Sequence, residues 1–354
     1  MTKKADVVIV GAGPSGASTA FFLKYFQPDC EAYLVERLAD DKFSEYHDMC
    51  GEAVNSGIKN DIAPLKLDSI LNEIDTIIEV WPGEVQMRSR VSGYIIDRAK
   101  FLRSIIREYR NLGGMCLTDC VIDFKQKNSG TDIKLSNGGI INAKYLVAAD
   151  GANSMIRKKV GLNSELRLLL QYLVAKKAEY GSSLVFEYDE KYHGDYKWVF
   201  PNGDNTKIGF PYLGLGNKVP KSNILKKQAR SVSFGGVRDY VLKNVLLVGD
   251  AAGQNNPLTK GGIRPGMVAG KMAAKAIADK DPMQYDRVWK SSDFGSTIFI
   301  KAYNRVKRMN NTELEHHAKI LAEQGLFSWV KILLFYNSYL EIYKAYEISS
   351  KVGW

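Results

Sequence analysis

The sequence predicts an α/β fold: a parallel sheet interrupted by an inserted mixed β-sheet and followed by a helical tail. Three observations predict it. Residues 6–10 (DVVIV), 14–26 (PSGASTAFFLKYF) and 31–36 (EAYLVE) read as strand, helix and strand, the β-α-β start of a parallel sheet. Residues 244–250 (NVLLVGD) return to the same buried-strand type late in the chain and lead into a small-residue helix at 261–279. Between them, residues 184–188, 196–201 and 207–212 are rich in aromatic and β-branched side chains, the composition of sheet strands.

The elements follow in order. The first strand is short, β-branched and stopped by glycine. The first helix opens on proline and small residues and then turns apolar at helical spacing. Residues 98–112 read as an amphipathic helix closed by Gly113 and Gly114. Residues 120–125 and 131–148 alternate as strands around NSG and NGG turns, and 144–150 is a further buried strand ending in an acid. The tail, 283–354, reads as helical. Its stretch LFSWVKILLFYNSYLEIYKAYE is broken by Lys331, Asn337, Glu341 and Lys344, which share no clean helical face. A helix packed on the body and an interfacial, lipid-contacting helix both fit it. The expected division is 1–150 with 240–282 as one discontinuous unit, 151–239 as a second, and 283–354 as the helical region.

Composition bounds the function. The 354 residues carry 49 Lys+Arg against 39 Asp+Glu, a formal charge of +10, with 45% hydrophobic and 25% charged residues, ordinary for a folded protein. Cys30, Cys50, Cys116 and Cys120 are too few and scattered for a disulfide framework, and no Cys/His spacing reads as a metal site. A reduced, cytoplasmic setting fits. The opening MTKKADVVIVGAG reads as a strand running into a turn rather than a signal peptide, and no apolar run is long enough for a spanning helix. The lysines are spread along the chain and no nucleic-acid motif accompanies them, so no nucleic-acid partner is expected.

The GAGPSG segment carries the first chemistry. Gly11 permits the tight turn, Gly13 lets the backbone approach a pyrophosphate, and Gly16 allows close helix–strand packing. The helix opening at Pro14 and Ser15 presents unpaired N–H groups and a positive dipole end. Glu36, 20 residues after Gly16 and followed by Arg37, ends the second strand where a carboxylate can accept from ribose hydroxyls. This fingerprint alone does not separate FAD from NAD. Asp150-Gly151, in DGANSMIR, and Gly249-Asp250, in GDAAG, resemble the paired motifs of the FAD-binding hydroxylase-like flavoprotein superfamily, the p-hydroxybenzoate-hydroxylase type. That resemblance implies a Rossmann-like FAD-binding domain, with Asp250 at a ribityl hydroxyl. It also implies Gly261, Gly262 and Ile263 along the isoalloxazine ring, Arg98 near the cofactor, and Val121 at the adenine end.

Three further segments narrow the resemblance. Cys50-Gly51-Glu52-Ala53, then Tyr196-Lys-Trp198-Val-Phe200-Pro201 followed by Gly209-Phe210-Pro211, and finally NPLTKGGI at 256–263 together resemble the geranylgeranyl reductase family. Its archaeal branch comprises digeranylgeranylglycerophospholipid reductases. The resemblance spans roughly residues 5–275. It implies FAD-dependent hydrogenation of C=C bonds in an isoprenoid chain. Cys50, Gly51 and Ala53 would lie beside the flavin, with Cys50 as a catalytic residue that supplies or relays a proton or tunes the flavin. Tyr196, Trp198, Phe200, Pro201 and Gly209 would shape an apolar substrate pocket, as a chain without hydrogen-bonding groups requires. Pro211 stands where the family pattern has glycine. The resemblance further implies an isoprenoid lipid substrate, an electron donor such as NAD(P)H or a ferredoxin-type protein, and peripheral contact with the cytoplasmic face of a membrane. No second GxGxxG marks a nicotinamide domain. A flavin monooxygenase or halogenase on the same fold, and a non-catalytic lipid-binding flavoprotein, are the alternatives.

Overall fold

The computed structural model describes residues 2–48, 50–213, 220, 223–322 and 339–353. Among them the strands are β1 (Thr2–Val10), β2 (Ala32–Glu36), β3 (Ala53–Asn55), β4 (Ile70–Val80), β5 (Gln86–Ile96), β6 (Met115–Thr118), β7 (Val121–Lys127) and β8 (Gly130–Leu135). There follow β9 (Ile140–Ala148), β10 (Glu165–Val174), β11 (Ser183–Glu187), β12 (Lys197–Asn202), β13 (Asn205–Pro211), β14 (Ile224–Phe234), β15 (Val241–Leu242) and β16 (Val245–Leu247).

The strands form two sheets. The first runs β15-β16-β9-β1-β2-β6, with β8 joining β9 and β7 joining β8. Its spine is parallel: Val8 faces Tyr33 on one side and Leu146 on the other, and Val245 continues the row beyond Leu146. A parallel sheet is covered on both faces, which is why these strands are continuous apolar runs rather than alternating ones. Val7, Val8, Ile9, Leu146, Val147 and Leu246 are all fully buried. The helix Pro14–Phe26 follows β1 directly, and its bounds match the sequence expectation.

The second sheet runs β14-β10-β13-β12-β11-β4-β5-β3 and is mixed, with β11 and β4 parallel and the other neighbours antiparallel. The expected division placed residues 53–96 with the nucleotide-turn unit. The structure departs from it: β3, β4 and β5 lie in the second sheet, where Thr76 of β4 pairs with Ser183 of β11. The long strands β4 and β5 form an antiparallel hairpin around the Pro82–Glu84 turn, and the hairpin joins the second sheet through the parallel pairing of β4 with the distant β11. Several strands were not anticipated, among them β3, β4, β5, β10 and β14. β10 (ELRLLLQYLV) is a leucine-rich run that periodicity alone does not distinguish from a buried helix. β14 (ILKKQARSVSF) is too polar to announce a strand.

The helix Arg98–Asn111 is capped by Asp97, whose side chain accepts from Lys100 N, and ends as anticipated near Gly113. The helix Ile263–Ala278 follows the second nucleotide-type strand, and Pro282–Ser291, Ile298–Val306, Asn311–Ala322 and Leu340–Val352 form the helical tail. Most of the apolar stretch singled out at 326–347 lies outside the described residues. No helix among the described residues is long and apolar enough to cross a membrane.

A β-carbon at Gly16 would collide with the carbonyl oxygen of Gly11, a backbone atom that cannot yield. Gly16→Ala is expected to cost about 3 kcal/mol or more, through overpacking and the displaced turn. Gly181→Ala, where nothing lies within 4 Å of the new atom, is expected to stay within about 0.5 kcal/mol. Urea unfolding of the two variants checks both.

Candidate active site

A cavity of about 760 Å³ runs from the glycine turn after β1 to the inner face of the second sheet. Its size is that of a cofactor- or lipid-sized ligand site. At one end lie Gly11, Gly13, Pro14 and Ser15. Gly11 takes φ +97° and its N–H donates to Val35 O at 2.8 Å. A β-carbon there would press on Ala149 O, whereas one at Gly13 would meet only His47, at 3.7 Å. The turn is therefore closed on its packing side and open towards the cavity. Gly16 is off the cavity wall and serves the packing of the turn against the helix.

Glu36 lines the same end, with Oε2 accepting from Ala12 N at 2.7 Å and Oε1 from Leu38 N at 2.9 Å. Those two bonds fix the carboxylate while leaving lone pairs for ligand hydroxyls. Arg37 stacks over Tyr46, and Val121 closes the wall beyond. Asp150 lines the cavity, but its carboxylate turns back to accept from Ser154 Oγ at 2.6 Å and Ile156 N at 3.3 Å. Burial pushes its carboxyl up, with those bonds opposing. Gly151 takes φ +82° with open space on its side-chain side.

The middle of the cavity is charged. Asp250 accepts from Asn255 Nδ2 at 3.0 Å, and Arg157 Nη1 holds the backbone around it through Asp250 O and Ala251 O. Burial pushes the Asp250 carboxyl up against the pull of Arg98, Arg230 and Arg157. Arg98 Nε donates to His47 O at 2.7 Å, and Arg230 stacks over Tyr46 at 3.5 Å. His47 lies between them. Burial, reinforced by Arg98 and Arg230, drives its imidazole down to about 2. Gly249, Gly261, Gly262 and Ile263 complete this wall, the last beginning the helix whose N-terminus faces the cavity.

The far end is aromatic. Tyr196, Trp198 and Phe200 share one face of β12 and its approach, and Phe186 meets Tyr196 and Phe200 edge-on at 4.9 and 5.3 Å. Cys50, Gly51 and Ala53 lie beside them, and a side chain at Gly51 would meet the Phe200 ring. Pro201 and Gly209 are not on the cavity wall. Pro201 points to the other face of β12 by strand alternation. Gly209 sits opposite Trp198 in the ladder and leaves the space that the indole fills. Its role is to seat Trp198. Tyr196 OH donates to Thr259 O, tying the aromatic wall to the loop before Gly261.

Several residues of this site were not among the sequence candidates. His47, Gln171, Asp195, Arg230 and Lys260 line the cavity, and Gln171 Oε1 accepts from the Trp198 indole at 3.4 Å. Glu52 lines it too, buried and paired with Lys207 from β13. Glu52 and Lys260 had a signal in the sequence, their places inside Cys50–Ala53 and NPLTKGGI. Gln171 and Arg230 come from β10 and β14, His47 from the end of the helix Asp40–His47, and Asp195 from the loop before β12, none of which a motif marks.

No family model matches the chain. The digeranylgeranylglycerophospholipid reductase 2 of Methanopyrus kandleri is 27% identical over 374 residues, covering 92% of each protein. Among solved structures, a geranylgeranyl bacteriochlorophyll reductase-like protein of Thermoplasma acidophilum superposes with a TM-score of 0.81 at 20% identity, over 98% of this chain and 100% of that one. A flavin-dependent brominase superposes at 0.72 and 16% identity, over 93% and 92%. The chain thus shares its fold with these two proteins. Within it, the similarity to geranylgeranyl reductases read from the CGEA, YxWxFP and NPLTKGGI segments is borne out by relatives along nearly the whole chain.

His47 gives this site a pH signature. Its folded value is depressed, so the unfolded chain binds the extra proton between about 2 and 6.5, and stability is lost as pH falls below 6.5. By linkage the loss reaches about 2 kcal/mol at pH 5. His47→Asn is expected to remove that increment from the difference in unfolding free energy between pH 7 and pH 5, measured in urea.

Proposed function

We propose that this protein is an FAD-dependent reductase that hydrogenates C=C bonds of an isoprenoid chain in a membrane-lipid precursor. One observation carries the reading: a single cavity joins the glycine turn to an apolar aromatic wall, with the Cys50–Ala53 segment beside that wall. The residues fit FAD. The turn at Gly11–Ser15 with the helix Pro14–Phe26 behind it suits a pyrophosphate, Glu36 a ribose, and the wall from Gly249 to Ile263 a flat ring system that side chains would obstruct. Arg98 and Arg230 add positive charge on the path between. Once reduced, the flavin supplies hydride.

The chain's own residues do the rest. Tyr196, Trp198, Phe200 and Phe186 bind a chain that offers no hydrogen bonds, so affinity comes from buried area. Gly51 lets the Phe200 ring pack against its backbone, where a β-carbon would collide with the ring. Tyr196 holds Thr259 and so fixes the wall against the loop at Gly261. Excluding water keeps the reducing equivalent from other fates. The isoprenoid substrate and anionic headgroup match the names of the relatives and the +10 charge of the chain. The reducing partner in this reading is NAD(P)H or a ferredoxin-type protein, and lipid is met at the cytoplasmic membrane face.

The test is direct. Purified protein should show flavin absorbance, and after reduction should add two hydrogens per double bond to geranylgeranyl lipid precursors, read as product mass. Flavin that reduces but leaves every prenyl lipid unchanged defeats the proposal. Trp198→Ala should lower kcat/KM for the prenyl substrate roughly 10- to 100-fold, from about 1.5–3 kcal/mol of lost apolar contact, with flavin binding unaltered.

A further inference from the structure

Saturating an alkene needs a proton as well as a hydride, and the proton must be present inside a cavity whose far wall is aromatic. Cys50 is the group that the sequence motif offers. The structure offers another, two residues on. Glu52 is buried on the cavity wall, 3% exposed. Its Oε2 is paired with Lys207, itself 4% exposed, and its Oε1 makes no hydrogen bond among the described residues. Its backbone sits at φ +61°, in the left-handed region that a residue with a long side chain rarely takes. The strain is held by the ladder, where Ile96 N donates to Glu52 O at 3.1 Å.

None of this serves stability. A buried ion pair loses to well-packed apolar residues of similar volume more often than not, and an open carboxylate oxygen adds a desolvation cost. Strained backbone held by its surroundings marks functional positions. The groups facing the carboxyl are Lys207 from β13, Arg98 from the start of the helix Arg98–Asn111, and Asp97 before it. Burial pushes the Glu52 carboxyl up, with Lys207 and Arg98 opposing. A polar strip leads outward from it: Lys207 Nζ lies 3.3 Å from Asp48 O, and the half-exposed Asp48 carboxylate takes Lys226 and Gln228 at 2.6 Å each.

We propose that Glu52 is the general acid of the reduction. The inference rests on the reductase reading above. In the step, hydride arrives with its electron pair at one alkene carbon, from a reduced flavin that is oxidised by two electrons. The π pair of the alkene then forms a C–H bond at the neighbouring carbon with the proton of the Glu52 carboxyl, whose O–H bond breaks. The carboxylate left behind is held by Lys207 and regains its proton from water along the strip that ends at Asp48.

The experiment uses the flavin-loaded, dithionite-reduced enzyme, mixed without oxygen with a geranylgeranyl phospholipid precursor, and follows flavin reoxidation and product mass across pH. In the wild type the rate should fall as pH rises through the Glu52 titration. Glu52→Gln should lower the rate about 10²–10⁴-fold and abolish that limb. Because Glu52→Gln strands Lys207, the double variant E52Q/K207M is measured beside it and should show the same loss in a folded protein. Glu52→Asp should recover part of the rate. Independently of turnover, infrared titration should show a protonated carboxyl band in the wild type that Glu52→Gln lacks, with the FAD Kd equal in all variants. Reoxidation by E52Q/K207M within threefold of wild type, or a pH limb that persists in it, overturns the assignment while leaving the reductase reading intact. A wild-type protein that saturates no prenyl lipid overturns that reading and this assignment together.

Discussion

The close contact between the helices Pro14–Phe26 and Ile263–Ala278 is the constraint on which the rest depends. They meet through glycine and serine rather than through large side chains. A β-carbon at Gly266 would come into contact with Ser15, and one at Gly270 would crowd Ser15 O and Thr19. Ser18 Oγ donates across the gap to Met267 O at 2.7 Å. Because nothing bulky intervenes, two segments some 250 positions apart in sequence bring their helix N-termini to one cavity. Helix N-termini carry unpaired N–H groups and a partial positive charge, so their convergence makes a site for an extended anionic ligand. Had either helix carried leucines at this contact, the two ends of the site would have been separated by the width of those side chains.

The second sheet contributes the opposite chemistry. Its inner face at β11 and β12 is aromatic, and the alternation of a strand puts Trp198 and Phe200 inward while Pro201 faces away. Gly209 is the reason that the indole can lie flat in this layer, since its neighbour in the ladder must leave room. Between the aromatic wall and the glycine turn lies a polar belt, the charged Arg98, Arg230 and Asp250 with the neutral His47, each buried or half-buried. Polar binding and apolar binding are thus kept apart by distance along one cavity. Each end selects a different part of what fills it.

The legible part of this arrangement was local. β1, its glycine turn, the helix after it and Glu36 are contiguous, and each residue type there has one physical job, so the sequence and the structure agree to within a few residues. Tyr196, Trp198 and Phe200 were assigned through the resemblance carried by the YxWxFP segment, and strand alternation explains why these three face the cavity while Pro201 does not. What was hidden is non-local. β3, β4 and β5 join the second sheet by pairings that depend on β11, more than 80 residues later. Arg230 and Gln171 reach the cavity from β14 and β10, strands whose own composition did not announce them. Lys207 matters only because β13 places it against Glu52, and no spacing within either segment foretells that partner.

Buried charge elsewhere in the site follows the same logic of joining distant segments. Asp195, next to the aromatic wall, is 3% exposed, with Arg167 Nε of β10 at 2.7 Å from Oδ2 and Lys260 Nζ at 2.7 Å from Oδ1. Arg167 also donates to Tyr303 OH at 2.7 Å in the helical tail, and Lys260 lies over the Tyr303 and Phe234 rings. Burial pulls the Lys260 ammonium down to about 8 even with Asp195 beside it, so this cluster is costly to bury. Its return is positional. Lys260 takes φ +51° immediately before Gly261, and with its ammonium held by Asp195 and Tyr196 holding Thr259, the loop has little freedom to move relative to the second sheet. The two ends of the cavity belong to different sheets, and this cluster fixes their separation. A charge that is expensive to leave unpaired fixes it more tightly than an apolar contact, which tolerates sliding.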